Sequence, residues 1–174
     1  MTDTAPADFV YCPHCASELE TRLFVDKPRR VCPGCGFVYF TDPKVGVGIV
    51  LLHEERLLLV QRKMRPEKGK WSVPAGFVDR GEDPRETAVR ETLEETNLQV
   101  AIERVMDVYY NPPQDGFSGT IFIMYYARLL GGELQAGDDA AAADFFALDA
   151  LPELAFASTR DAVARLRRSV NGSQ

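Results

Sequence analysis

Between Gly76 and Leu98 the chain reads GFVDRGEDPRETAVRETLEETNL. The stretch combines a glycine loop, a helix start and a crowd of acidic side chains, and few folds accommodate all three. Asp83-Pro84 is a helix-start signal, with Asp83 as N-cap and Pro84 at the first helical position. The helix is expected to run to about Thr96 and to end near Asn97, a residue that tolerates left-handed backbone. At about 100° per residue, Glu91, Glu94 and Glu95 share one face as i, i+3 and i+4. Val89, Leu93 and Thr96 fall roughly opposite and are expected to pack on a sheet. Three carboxylates on one face repel each other, so the placement calls for a cation. Carboxylate oxygens suit Mg²⁺ or Mn²⁺, ions that retain water and bridge to phosphates. Such ions polarise a phosphoryl oxygen, lower the pKa of bound water and neutralise a leaving phosphate, which is what hydrolysis of a diphosphate requires. A solvated acidic face accounts for Glu-x-x-Glu-Glu alone, but not for the glycine loop and Arg90 beside it.

The bulk composition bounds the setting. With 174 residues, 45% hydrophobic and 26% charged, the chain suffices for one ordinary domain and a small appendage. A net charge of −6 does not draw nucleic acid by the overall field. No apolar run approaches the ~20 residues that span a bilayer. The N-terminus, MTDTAPADF, lacks the basic start and apolar core of a secretory signal. The expected location is therefore the cytoplasm, with neither membrane nor nucleic acid as partner.

Residues 1–10 read as a frayed tail. Cys12-Pro-His-Cys15 and Cys32-Pro-Gly-Cys35-Gly36 follow, separated by sixteen residues. Two such knuckles match a zinc-ribbon pattern, because thiolates at i and i+3 in a tight turn present two sulfurs to one tetrahedral ion. Cys12, Cys15, Cys32 and Cys35 are thus expected to hold a structural Zn²⁺ in a ribbon over residues 11–40. Disulfides or redox-active thiols are the alternatives, and a reducing compartment disfavours the first. Within the ribbon, Thr21–Val25 and Arg30–Cys32 are predicted to pair as strands, His14 reads as a turn residue, and Lys27, Arg29 and Arg30 form a small basic cluster. The metal substitutes for a hydrophobic core that so small a piece cannot build.

After a linker at Thr41-Asp42-Pro43, a main domain is expected over residues 44–170. Val45–Leu52 and Arg56–Gln61 are apolar runs around a short polar break, which predicts a hairpin. Trp71–Val73 reads as a short strand, Gln99–Tyr110 as one or two strands, Thr120–Leu130 as an aromatic-rich strand and Phe145–Leu148 as a short last strand. Ser158–Val170 is predicted to be a helix capped by Ser158. Mixed strands between two helices indicate an α/β sandwich.

Gly76-x5-Glu82-x7-Arg90-Glu91-Thr92-x-Glu94-Glu95-x-Asn97-Leu98 resembles the Nudix box, and the flanking Trp71-Ser-Val-Pro-Ala75-Gly76 agrees with it. The chain differs at Thr92, where an aliphatic residue is usual, and at Asn97, where glycine is usual. The resemblance implies an α/β/α Nudix sandwich with a mixed sheet and hydrolysis of a nucleoside diphosphate linked to another moiety. It implies that Glu91, Glu94 and Glu95 bind Mg²⁺ or Mn²⁺, that Glu82 and the Ala75 carbonyl add ligands, and that Arg90 orients a glutamate. Glu94 and Glu95 both stand as the group that activates water. A homodimer is the common assembly of such proteins. Many relatives also carry a glutamate in the loop before the last strand; here Ala140–Ala143 occupies that region, with Asp138 and Asp139 the nearest carboxylates.

A ribbon ahead of such a domain is similar to the NADH pyrophosphatase branch and its relatives acting on ADP-ribose-like or flavin dinucleotides. The Ser-Gln-Pro-Trp-Pro-Phe-Pro-type signature of the NADH group is absent; Tyr109-Tyr-Asn-Pro-Pro-Gln-Asp-Gly-Phe117 stands there. ADP-ribose or a related ADP-X compound is accordingly the expected substrate. FAD, NADH and oxidised nucleoside triphosphates come next, and a nucleotide-sensing regulator is the reading from another class. Phe77, Tyr109, Phe117 and Phe122 are candidates to clamp a base, and Arg62, Lys63, Arg65 and Lys68 to meet phosphates.

Overall fold

The structure, a computed structural model, describes residues 9–112 and 119–171. The chain divides between Asp42 and Pro43 into two compact units, each with its own core. In the first, strands β1 (Glu20–Phe24), β2 (Lys27–Val31) and β3 (Val38–Tyr39) form an antiparallel sheet in that order. The second strand begins at Lys27, earlier than predicted, so that Phe24 pairs with Lys27 across a tight turn. Cys12, Leu19 and Cys32, with Phe37 against them, form its core cluster. The basic cluster serves this hairpin. Arg29 donates to the Phe24 carbonyl at 3.0 Å and to Asp26 at 3.2 Å and stacks 5.1 Å over the Phe40 ring, while Arg30 donates to the Phe9 carbonyl and to Thr21.

The second unit comprises β4 (Lys44–His53), β5 (Arg56–Arg62), β6 (Trp71–Ser72), β7 (Ala75–Phe77), α1 (Pro84–Thr96), β8 (Leu98–Asn111), β9 (Thr120–Gly132), β10 (Ala140–Ala147) and α2 (Ala157–Asn171). Its sheet runs β10-β5-β4-β9-β8, with β6 on β5 and β7 on β4. The β4–β9 pairing is parallel and the others are antiparallel, so the sheet is mixed. The β4–β5 hairpin closes through Glu54-Glu55, both in left-handed backbone.

Strand alternation along β4 assigns the layers. Val47, Ile49 and Leu51 pack with Ala88 of α1, whereas Val50 packs with Ala162, Val163 and Leu166 of α2. One helix therefore covers each face, and the unit is an α/β/α sandwich.

Several local expectations differ from the outcome. The last strand starts at Ala140, not Phe145: pairing with β5 from Arg62 back to Arg56 makes a strand of an alanine run that has little β-propensity of its own. Gln99–Tyr110 lies in a single strand, β8, whose pairing with β9 shifts register three times. Ser158 is buried inside α2, which starts one residue earlier, so it is not a cap.

Helix α1 has the predicted ends. The Asp83 carboxylate accepts from the Arg85 N–H at 2.7 Å, Pro84 opens the helix, and Asn97 stops it at φ 57. Of the face expected to pack on the sheet, Thr96 is buried and Val89 packs against the core, but Leu93 does not. Thr87, Ala88, Thr92, Glu95 and Thr96 are buried, while Leu93 is 44% exposed. Thr92 satisfies its hydroxyl on the Ala88 carbonyl at 2.7 Å and fits where a larger aliphatic side chain was anticipated.

Candidate active site

Strand β7, the loop 78–83 and helix α1 gather the acidic residues. Glu82 accepts from the Asp79 N–H at 3.1 Å and from the Thr87 hydroxyl at 2.9 Å, which fixes the loop against the first helical turn. Arg90 reaches three carboxylates: Glu82 at 3.1 Å, Glu91 at 3.1 Å and Glu94 at 3.0 Å. It takes up the middle of the cluster and offsets the repulsion inherent in the sequence. The backbone N–H of Asp79, joined by Arg90 and Thr87, holds Glu82 below the usual carboxylate range. Gly76 has a steric reason to be glycine, since a methyl group there would fall within the Glu91 carboxylate.

Glu95 is the glutamate Arg90 does not reach. It is 8% exposed and accepts from the Ala75 N–H at 3.0 Å. Burial pushes its carboxyl up to about 8, with the Ala75 hydrogen bond opposing. Burial also raises Glu91, with Arg90 opposing. A carboxyl that burial keeps protonated beside two more acids is a position where a hard divalent cation replaces the proton. The oxygen-only donor set fits Mg²⁺ or Mn²⁺.

Arg90, Glu91, Glu94 and Glu95 line a cleft of about 450 Å³, and Glu82 is not among its lining residues. Its lining includes Ala75, Gly76, Phe77, Arg90, Glu91, Glu94 and Glu95 from β7 and α1, together with Arg62, Lys63, Arg65, Asp138 and Asp139 from the end of β5, the loop after it and the approach to β10. Arg62 is half-buried, lowered by desolvation, stacked 4.7 Å over Phe156 and bonded to the Pro66 carbonyl at 2.9 Å. Phe77 is 51% exposed at the rim, with the Lys44 ammonium 5.1 Å from its ring. Gln61 and Asp79 also line the cleft, and nothing in their local sequence singled them out.

A family model described as the NUDIX domain matches residues 42–166. The chain belongs to the Nudix hydrolase family. An ADP-ribose pyrophosphatase from Methanocaldococcus jannaschii is 41% identical over 117 residues, 67% of this chain and 69% of that protein. A NAD-capped RNA hydrolase NudC from Chromobacterium violaceum is 33% identical over 146 residues, 83% of this chain and 52% of that protein, so the chain spans about half the length of that relative. The crystal structure of a Nudix hydrolase from Nitrosomonas europaea matches with a TM-score of 0.86 and 31% identity, covering 95% of this chain and 94% of the other.

Not every residue singled out in the sequence reaches the Nudix cleft. Tyr109 packs with the α2-side cluster and donates to Asp161 at 2.8 Å; burial and that carboxylate push its phenol upward. Phe122 packs on the same side, its ring over Gly46 and Gly48 of β4. Phe117 lies outside the described residues. Asp138 and Asp139, by contrast, stand on the cleft wall next to the first residue of β10.

In the first unit, the four cysteine sulfurs lie within 4.8 Å of one another, the only group of three or more potential metal ligands so close among the described residues. Cys12 and Cys35 sulfurs are 3.6 Å apart, and those of Cys15 and Cys32 3.4 Å. A tetrahedral zinc with bonds of about 2.3 Å needs edges of about 3.8 Å. The His14 N–H points to Cys12 and the Cys35 N–H to Cys32, each at 3.4 Å, as suits thiolate acceptors. Hydrogen bonds from Ser17 draw Cys15 down to about 6. Four sulfurs this close cannot all ionise without a cation between them, and the thiolate donor set fits Zn²⁺.

Proposed function

We propose that this Nudix hydrolase cleaves the diphosphate of ADP-ribose, or of a closely related nucleoside diphosphate bonded to a second group, with Mg²⁺ or Mn²⁺ as cofactor. The observation that carries the reading is the convergence of Ala75, Glu91, Glu94 and Glu95 with Arg90 in one cleft, together with the 41% identity to a protein named ADP-ribose pyrophosphatase. The ion, when bound, supplies charge neutralisation on the phosphoryl oxygens and acidifies water.

The chain's own groups do the rest. Glu91, Glu94 and Glu95 supply carboxylate oxygens, with Glu82 and the Ala75 carbonyl as further donors. Arg90 orients Glu91 and Glu94 through charge-assisted hydrogen bonds. Glu94 is the most exposed of the three helix carboxylates, and we assign it the proton of the attacking water. Water oxygen bonds to one phosphorus, the bridging P–O bond breaks, and a nucleoside monophosphate leaves with the sugar phosphate as the other product. Arg62 and Arg65, which line the same cleft, are assigned to the phosphates, and Phe77, exposed beside them, to the base. The first unit is assigned a structural Zn²⁺ on Cys12, Cys15, Cys32 and Cys35, and the assembly a homodimer, to be checked by metal analysis and light scattering.

A dinucleotide such as NADH or FAD is the second reading, favoured by the match to NudC over 83% of the chain. Incubation of the purified protein with ADP-ribose, NADH, NAD, FAD and nucleoside triphosphates, with Mg²⁺ or Mn²⁺ and chromatography of products, tests both. AMP and ribose 5-phosphate from ADP-ribose are expected. Inorganic diphosphate released from triphosphates alone would replace the proposal with a sanitising hydrolase, and nucleotide binding with no turnover would replace it with a sensor.

A further inference from the structure

The segment between β9 and β10 does more than connect them. Its backbone completes the C-terminal end of α1, where carbonyls have no partner within the helix. The Gln135 N–H donates to the Thr96 carbonyl at 3.0 Å and the Gly137 N–H to the Glu95 carbonyl at 3.1 Å. Asn97, the helix stop, donates from its side chain to the Glu133 carbonyl at 3.0 Å. Contact is so close that a methyl group at Gly137 would come 2.5 Å from the Glu94 carbonyl oxygen. Beyond Gly137 the segment is gripped by Lys63, the residue that follows β5. The Lys63 backbone N–H donates to the Asp139 carbonyl at 3.1 Å, and the Lys63 ammonium to the Asp138 carbonyl at 2.5 Å.

We infer that the 133–139 segment is a splint that sets the position of the catalytic glutamates, with Gly137 as its key positioning residue. One end is fastened to the very carbonyls of Glu95 and Thr96, the other to the residue that follows β5. The cleft lies between α1, β7 and the end of β5, so the splint fixes the distance across it. Glu94 and Glu95 project from the turn it holds. Gly137 is glycine here for proximity, since its φ is not in the left-handed region and an alanine could adopt its backbone. A methyl group must push the segment or the last turn of α1 aside by several tenths of an ångström. Displacements approaching 1 Å in a site that works by positioning cost about 10²-fold in rate.

The inference rests on the proposed hydrolysis for its kinetic readout but not for its structural one. The comparison is Gly137→Ala against Gly131→Ala. The latter lies at the end of β9, just before the segment, where a methyl group meets nothing within 4 Å and φ is not left-handed. Gly137→Ala should lower kcat 10- to 100-fold with KM within twofold of wild type, and weaken Mn²⁺ binding measured by electron paramagnetic resonance by about tenfold. It should also shift the amide resonance of Ala75, which reports the hydrogen bond to Glu95. Gly131→Ala should change none of these. Unchanged kcat, Mn²⁺ affinity and Ala75 resonance in folded Gly137→Ala would overturn the inference. A wild-type protein that hydrolyses nothing while the Ala75 resonance still moves would overturn the proposed reaction and leave the splint standing. If Gly137→Ala does not fold, Lys63→Met removes the side-chain half of the opposite fastening, the ammonium bond to the Asp138 carbonyl, and leaves the backbone bond to Asp139. A kcat equal to wild type in that variant overturns the inference, and a several-fold fall at constant KM supports it.

Discussion

Replacing Glu95 by glutamine should stabilise the metal-free protein while abolishing its turnover. Glutamine keeps the shape and an acceptor for the Ala75 N–H, but carries no titrating group. In the unfolded chain Glu95 ionises near its ordinary value of 4.5, whereas burial holds the folded carboxyl up to about 8. Between those values the folded state binds the extra proton, so the contribution is full below 4.5 and is lost as pH rises toward 8. One pKa unit corresponds to about 1.4 kcal/mol. At pH 7 the wild type is then about 3 kcal/mol less stable, from this group, than at pH 4. Glu95→Gln escapes that loss. The assay is urea unfolding followed by Trp71 fluorescence, the chain's single tryptophan. It is run at pH 5, 6, 7 and 8 on protein desalted free of magnesium, without a chelator that would disturb the cysteine site. The two stability curves should diverge with rising pH by about 1 kcal/mol per unit up to pH 7, and Mg²⁺ should restore wild type more than the variant. Parallel curves from pH 5 to 8 would refute the claim that Glu95 is a buried, protonated carboxyl awaiting a cation.

Three further outcomes are expected. Gly76→Ala drives a methyl group into Glu91 and should cut kcat at least about 10²-fold, with the far-ultraviolet circular dichroism unchanged. Tyr109→Phe removes the hydrogen bond to Asp161 and should cost about 1 kcal/mol in urea unfolding, with KM for the nucleotide unaltered because the residue faces α2. Cys32→Ser should reduce bound zinc, expected at about one ion per chain, to a small fraction by elemental analysis and expose the first unit to proteolysis up to the Asp42–Pro43 boundary.

The ends of α1 were legible because their signals are local: a capping carboxylate, a proline and an asparagine act within a few residues of themselves. The hairpin at β4 and β5 was legible for the same reason. The buried face of α1 was legible only in part. Thr96 and Val89 pack as expected, but Leu93, the largest apolar residue on the wheel, stays outside, and the sheet accepts Thr87, Ala88 and Thr92 and takes Glu95 inward with them. What lies under a helix is a tertiary fact. Tyr109 shows the same limit on a strand. Alternation along β8 is interrupted at Glu103 and Met106, where two of the three register shifts put an extra residue in this strand and reverse the parity beyond it. The alanine run at the start of β10 carries no strand signal, so the course of the chain past Asp138 and Asp139 became visible only through pairing with β5. Arg62 and Lys63 were chosen as members of a basic loop, whereas one ends β5 and the other secures the segment facing it.

The parallel ladder of β4 with β9 has a consequence for synthesis of the chain. Lys44 finds its partner only when Thr120 exists, and Leu51 only with Ala127. During translation, α1 and all its glutamates emerge before the central strand that must lie beside β4. The nascent protein thus exposes one flank of its innermost strand for longer than any hairpin does, a feature that slows folding and invites mispairing. A ribosome stalled just short of residue 120 should carry a chain with every glutamate of the cleft already made and no platform on which to assemble them.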